Sequence, residues 1–175
     1  MPEPRRVRAT AAAMDLLRRL RDSHGPLMLH QSGGCCDGSS PMCYPAGEFI
    51  VGDADVLLGL LDLRLRADEL PETDPAPEDI APVWISGPQF AAWRHTQLVL
   101  DMVPGRGSGF SLESPEGFRF LSRGRVYDRE ELSALAASAI ITGADYELGA
   151  RPAAAIEPQV VAEAVDACPV PERQG

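Results

Sequence analysis

The 175-residue chain contains no lysine: all 16 of its basic residues are arginine. Schiff-base catalysis by a lysine amine is thereby excluded, and so is a P-loop with its phosphate-binding lysine. Asparagine is absent too. N-glycosylation and a Cys-His-Asn triad go with it. No apolar run reaches the roughly 18 residues that a membrane span needs. The N-terminal stretch has basic residues but no signal-type apolar core, so a cytoplasmic location is expected. Positive charge is in deficit, with 26 acidic residues and a net charge of −10. A compact duplex-binding face needs the opposite balance, so neither nucleic acid nor membrane is an expected partner.

What is present fits one soluble domain. The length suffices for a core without disulfide staples, and 45% hydrophobic with 24% charged residues is ordinary globular composition. Thr10 is a good N-cap, and Ala13, Leu16, Leu17 and Leu20 recur at helical spacing over residues 11–23 before Gly25-Pro26 stops the helix. Residues 27–31, 48–51, 56–61, 83–86 and 97–103 read as short strands. Residues 88–95 read as a turn of helix. Residues 109–113 and 118–122 flank Pro115-Glu116-Gly117, a hairpin signal. Asp128 can cap a short helix over 129–138. Residues 67–82 hold six acids and four prolines and read as a mobile surface loop. The expected layout is a disordered N-terminus at 1–5, a single domain at 6–138, and an Ala/Pro-rich tail at 139–175. Short strands with little helix and no regular βαβ alternation predict an α+β, strand-rich fold with its first helix packed on a mixed sheet. The glycines at 105, 107 and 109 do not form a dinucleotide fingerprint, so no nicotinamide cofactor is expected.

The strongest chemical signal is His30, Cys35, Cys36, Asp37 and Cys43 within fourteen residues. Clustered thiols in a reducing compartment point to metal or reactivity more than to a disulfide. Glycines 33, 34 and 38 let the backbone fold tightly around a ligand. Three thiolates suit zinc, iron or copper(I), and His30 or His95 would complete the set. The spacing is not the paired C-x-x-C of a zinc ribbon, and adjacent cysteines cannot easily share one ion. The alternative is that small thiols pack against the sheet, as free cysteines often do. Cys168 lies in the tail. A lone histidine such as His95 is more often structural than a ligand. Asp101 could support a histidine from outside a ligand set, although a solvated strand face suits it better. Asp53 and Asp55 make an acidic turn too short for an EF-hand. Arg106 suits a solvated turn better than an anion site.

The stretch HGPLMLHQSGGCCDGSSPMCYPAGEFIVGDADVLLG, followed by W-x-H-T-Q-L-x-L-D-x-x-P-G-R-G-x-G-F-S-L-E-x-P-E-G, resembles an uncharacterised bacterial domain family. Its members are often encoded beside aldehyde dehydrogenases. The likeness covers residues 6–127 and implies no established reaction. The order helix, strand, S-G-G-C-C-D-G, Leu98–Asp101, then Gly109-Phe110-Ser111-Leu112 and Pro115 is more distantly similar to A-type iron–sulfur carriers, which implies a HesB-like fold. In that comparison Cys35 or Cys36 matches the first family cysteine, but the C-x-C pair that ends those carriers has no counterpart.

Three readings follow. The leading one is an accessory protein of aldehyde or alcohol dehydrogenase metabolism that holds zinc, iron or an iron–sulfur cluster through Cys35, Cys36, Cys43, His30 and His95. The second is a thiol-dependent enzyme acting on a small electrophile such as an aldehyde. The third is a non-catalytic interaction module for the dehydrogenase. An aldehyde dehydrogenase is the expected partner in the first and third, and a homodimer is compatible with all three. The chain is not itself a nicotinamide-dependent dehydrogenase.

Overall fold

A computed structural model describes residues 4–33, 40–65, 72–105 and 110–152. The elements in chain order are β1 (Val7–Ala9), α1 (Ala11–His24), β2 (Leu27–Gln31), β3 (Met42–Pro45), β4 (Val56–Asp62), β5 (Ile80–Ile85), α2 (Gly87–Trp93), β6 (Thr96–Pro104), β7 (Phe118–Val126), α3 (Arg129–Ala136) and α4 (Gly143–Glu147). Among the described residues the strands form two mixed sheets, β1-β6-β7 and β3-β2-β5-β4. The fold is α+β and strand-rich. No helix among these residues is long and apolar enough to cross a membrane.

Helix α1 begins where the Thr10 side chain accepts the Ala13 N–H and ends at Gly25, whose φ of 82° suits glycine. Its buried face, Ala13, Met14, Leu16, Leu17 and Leu20, joins one core with Leu98, Leu100 and Phe120 of the first sheet and Leu27, Leu29 and Cys43 of the second. Strand β2 is buried along all five residues. Its alternate side chains serve different clusters. Leu27 and Leu29 face the inter-sheet core, and Met28 joins Leu57, Leu60 and Trp84 on the other face. A strand covered on both faces has no need of a polar alternation, which explains the run Leu27-Met28-Leu29. At Gly59 the two sheets come so close that a Cβ would stand 2.9 Å from a Val7 methyl carbon, so a side chain there would force them apart.

Several local expectations are corrected. Residues 48–51 are not a strand; the chain turns after β3 and drops Phe49 and Val51 onto the Trp84 cluster. Residues 110–113 are turn rather than strand, and β7 pairs with β6 from Thr96↔Val126 to Pro104↔Phe118. The turn at Ser114–Gly117 is real, but it closes a longer hairpin, with the Gly105 N–H bonded to the Gly117 carbonyl at 2.9 Å. Strands β1 and β3 were not expected. Of the acidic segment 67–82, residues 67–71 lie outside the described residues, and Ile80, Ala81 and Pro82 open strand β5. Pro82 precedes the stretch paired with β2, where a missing N–H is tolerated. Packing also continues beyond Ser138. The Leu57 N–H bonds the Ile141 carbonyl at 2.9 Å, and Tyr146 of α4 meets Trp84 edge-on with ring centroids 5.2 Å apart.

Asp101, expected on a solvated face, is buried in β6. One carboxylate oxygen accepts the Thr10 hydroxyl at 2.9 Å and the other accepts Arg123 Nε at 2.7 Å. The acid thus ties the α1 cap to β6 and β7. Removing one member of a buried ion pair strands the other charge, at about 3 kcal/mol. Asp101→Ala is therefore expected to lower unfolding stability by roughly that amount in denaturant titration, with an unchanged m-value.

Candidate functional site

His30 is the next-to-last residue of β2, and its position follows from the register. It pairs with Trp84 of β5, which pairs with Leu57 of β4. Residues in one cross-strand row share a face, and so do residues two apart on one strand. Asp55, two residues before Leu57, therefore comes to the His30 side. His30 Nε2 lies 2.8 Å from Asp55 Oδ2, and His30 Nδ1 lies 2.6 Å from Ser32 Oγ. A carboxylate can only accept, so in the neutral ring Nε2 carries the proton and Nδ1 accepts the Ser32 hydroxyl. The same Asp55 oxygen accepts the Gly52 N–H at 2.8 Å, which fixes the carboxylate.

The surroundings are graded. His30 is 4% exposed, and Phe49 lies over it at 4.5 Å between ring centroids, backed by Tyr44 at 4.8 Å from Phe49. Ser32 is exposed, and nothing lies within 4 Å of a Cβ built on Gly33. A partly buried carboxylate thus holds a buried imidazole, and the imidazole holds a hydroxyl at an open surface. Such a chain can take a proton from a nucleophile through Nδ1 and stabilise the resulting imidazolium through Asp55.

The other expected site residues are placed differently. Cys43 pairs with Leu29 and faces the inter-sheet core, on the side of the sheet opposite His30. It is fully buried, and burial, reinforced by nearby Glu113, pushes its thiol well above the usual range. His95 is exposed in the turn before β6 of the other sheet, with its carbonyl accepting the Tyr127 N–H at 3.2 Å. The structure therefore brings neither Cys43 nor His95 to the His30 ring. Cys35, Cys36, Asp37 and Arg106 lie outside the described residues. Among the described residues no group of three or more His, Cys, Asp and Glu side chains is arranged to hold a metal ion.

Sequence reasoning missed Asp55 and Ser32 as partners of His30. The only signal for Asp55 is the β2-β5-β4 register, which no local pattern carries. Ser32 at the second residue after His30 was legible in principle, because two residues along a strand return to one face. It also missed Glu113, which is 1% exposed. Its carboxylate accepts the Ser111 hydroxyl and, at 3.4 Å, the Phe120 N–H, while Ser111 Oγ accepts the Cys43 N–H at 2.9 Å. This cluster pins β3 and β7 to the turn that connects β6 and β7.

A family model described as a domain of unknown function (DUF779) matches residues 16–126, and the chain belongs to that family. No curated protein and no solved structure matches the chain.

Two outcomes test these placements. Cys43 is expected to resist iodoacetamide in the native protein at pH 8 and to react on unfolding, as read by peptide mass. Burial raises the Glu113 carboxyl above the usual value. Its folded form therefore favours the proton, and the stability linked to it is greatest at low pH and falls as pH rises through the raised value. Glu113→Gln is expected to remove that decline from denaturation measured across the range just above the ordinary glutamate value.

Proposed function

We propose that this DUF779 protein is an enzyme of the covalent-catalysis type acting on a small electrophile, with His30 as the base that activates a nucleophile at the start of the cysteine loop. The observation that carries the reading is the Asp55–His30 pair, with Nε2 fixed at 2.8 Å and Nδ1 turned toward the segment after β2. Cys35 and Cys36 follow Ser32 by three and four residues across Gly33-Gly34, within reach of Nδ1 by chain length. A thiol there gains nucleophilicity by losing its proton to an imidazole held by a carboxylate. The resemblance to a domain often encoded beside aldehyde dehydrogenases makes an aldehyde the first electrophile to try. The accessory metal-binding reading has less support, because two of its five ligands lie away from His30.

The test is the alkylation rate of Cys35 and Cys36 by iodoacetamide as a function of pH. Asp55→Asn is expected to slow it about tenfold at pH 7, the equivalent of one unit of thiol pKa. Equal rates in wild type and variant defeat the thiol reading. Stoichiometric metal in anaerobically purified protein, lost in Cys35→Ser and Cys36→Ser, would put the metal-binding reading in its place.

A further inference from the structure

The described residues contain one hydroxyl already seated on the His30 base. We propose that Ser32 is itself a nucleophile, and that the site accepts an acyl group from a small activated ester or thioester. The inference rests on the Asp55–His30 base of the preceding reading but assigns the attacking atom to Ser32 Oγ instead of a thiol.

The geometry has three parts of such a step. Ser32 Oγ is 2.6 Å from His30 Nδ1, so its proton has a direct acceptor. His30 Nε2 is 2.8 Å from Asp55, which holds the tautomer and meets the positive charge that forms on the ring. Ser32 is exposed beside open space at Gly33, whereas the His30 ring is shielded under Phe49, so a substrate, and later a water molecule, can reach the Ser32 edge of the ring while the rest of it stays covered. The two ring nitrogens have exchanged roles relative to the usual serine hydrolase arrangement. Either nitrogen of an imidazole can act as the base, so the chemistry is unaffected.

The substrate class follows from what a hydroxyl and one base can complete. Attack on an aldehyde gives a hemiacetal that only collapses back. Attack on an acyl carbon goes forward. Ser32 Oγ bonds to the carbonyl carbon as its proton passes to Nδ1. The bond to the leaving alcohol or thiol then breaks, and Nδ1 returns the proton to it. The product is an acyl-Ser32 ester. A water molecule then gives a proton to the same nitrogen as its oxygen bonds to the acyl carbon, the bond from that carbon to Ser32 Oγ breaks, and Nδ1 returns the proton to Oγ, which releases the free acid. No oxidant or reductant is needed.

The experiment treats the full chain with a fluorophosphonate probe and, separately, with p-nitrophenyl acetate, followed by peptide mass mapping. The expected result is a phosphonate or acetyl group on Ser32 in wild type and none there in Ser32→Ala, a substitution at an exposed position. Asp55→Asn is expected to slow labelling at least tenfold while thermal unfolding confirms that it is folded. Absence of any modification at Ser32 in wild type, or labelling at Ser32 that is unchanged in Asp55→Asn, overturns the proposal. Acetylation confined to Cys35 or Cys36 also overturns it and leaves the thiol reading standing. Labelled Ser32 with thiols indifferent to Asp55→Asn does the reverse.

Discussion

The arrangement of the candidate site depends on the register of β2. This strand is covered on both faces, so each residue has an assigned environment, and a slip by one position would send every side chain to the wrong one. His30 would enter the inter-sheet core, away from Asp55 and Ser32. Two ladders oppose the slip, antiparallel to β3 and parallel to β5. A third device is Gln31, a polar residue on the inner face. Its carbonyl accepts the Ser122 hydroxyl of β7 at 2.8 Å, and its amide donates to the Gly33 carbonyl. Only in the native register does a buried amide find both partners, so its desolvation selects that register.

The same logic recurs in the other buried polar groups. Asp101 answers Thr10 and Arg123, Gln97 answers Arg125 Nε at 2.9 Å, and Glu113 answers Ser111 and the Phe120 N–H. Each connects segments that the apolar core alone would not orient, because burial of hydrocarbon has no direction. The leucines of α1 hold the two sheets together, and these polar contacts set how they meet. The frame behind His30 is accordingly rigid where it must be. Asp55 is fixed by the Gly52 N–H, and Gly52 and Asp53 in turn lie against α4, whose Ala144 N–H bonds the Asp53 carbonyl at 3.3 Å.

Much of the fold was legible where the signal is local. The cap at Thr10, the stop at Gly25 and the leucine spacing gave α1. Asp128, with its reciprocal bonds to Glu131, gave α3. The Pro115-Glu116-Gly117 turn was read correctly, but turn chemistry names a reversal of the chain and not the strands that it joins, so β7 was given the wrong partner. Strands β1 and β3, of three and four residues, are too short to show a period. Phe49 and Val51 are strand-like apolar residues, but they serve instead to cover Trp84 from a turn, with Ile50 between them exposed. The cysteine cluster was visible as a cluster, but proximity in sequence says nothing about faces. Leu29 opposite Cys43 puts that thiol across the sheet from His30 only once β2 and β3 are known to pair.

The position of the His30 site has a topological cause. Strands β2 and β5 run parallel, so their carboxyl ends lie side by side, and β4, antiparallel to β5, begins at that same end. Loops leaving parallel strands at their carboxyl ends are a common place for ligand-binding residues, because the ladder behind them is fixed and the loops are free to vary. Here the loop after β2 supplies Ser32 and the turn before β4 supplies Asp55. The hydrogen-bond chain is most shielded at His30, with Asp55 partly buried behind the ring and Ser32 exposed in front of it. Under Phe49 the local dielectric is lower than in water, and the attraction between Asp55 and a protonated His30 ring is correspondingly stronger. At Ser32 the chain meets solvent, and an incoming electrophile would replace water there without disturbing the Asp55–His30 pair. That pairing of a shielded ring with an exposed hydroxyl, and not the number of sulfurs nearby, is what distinguishes His30 from the exposed His95 and the buried Cys43.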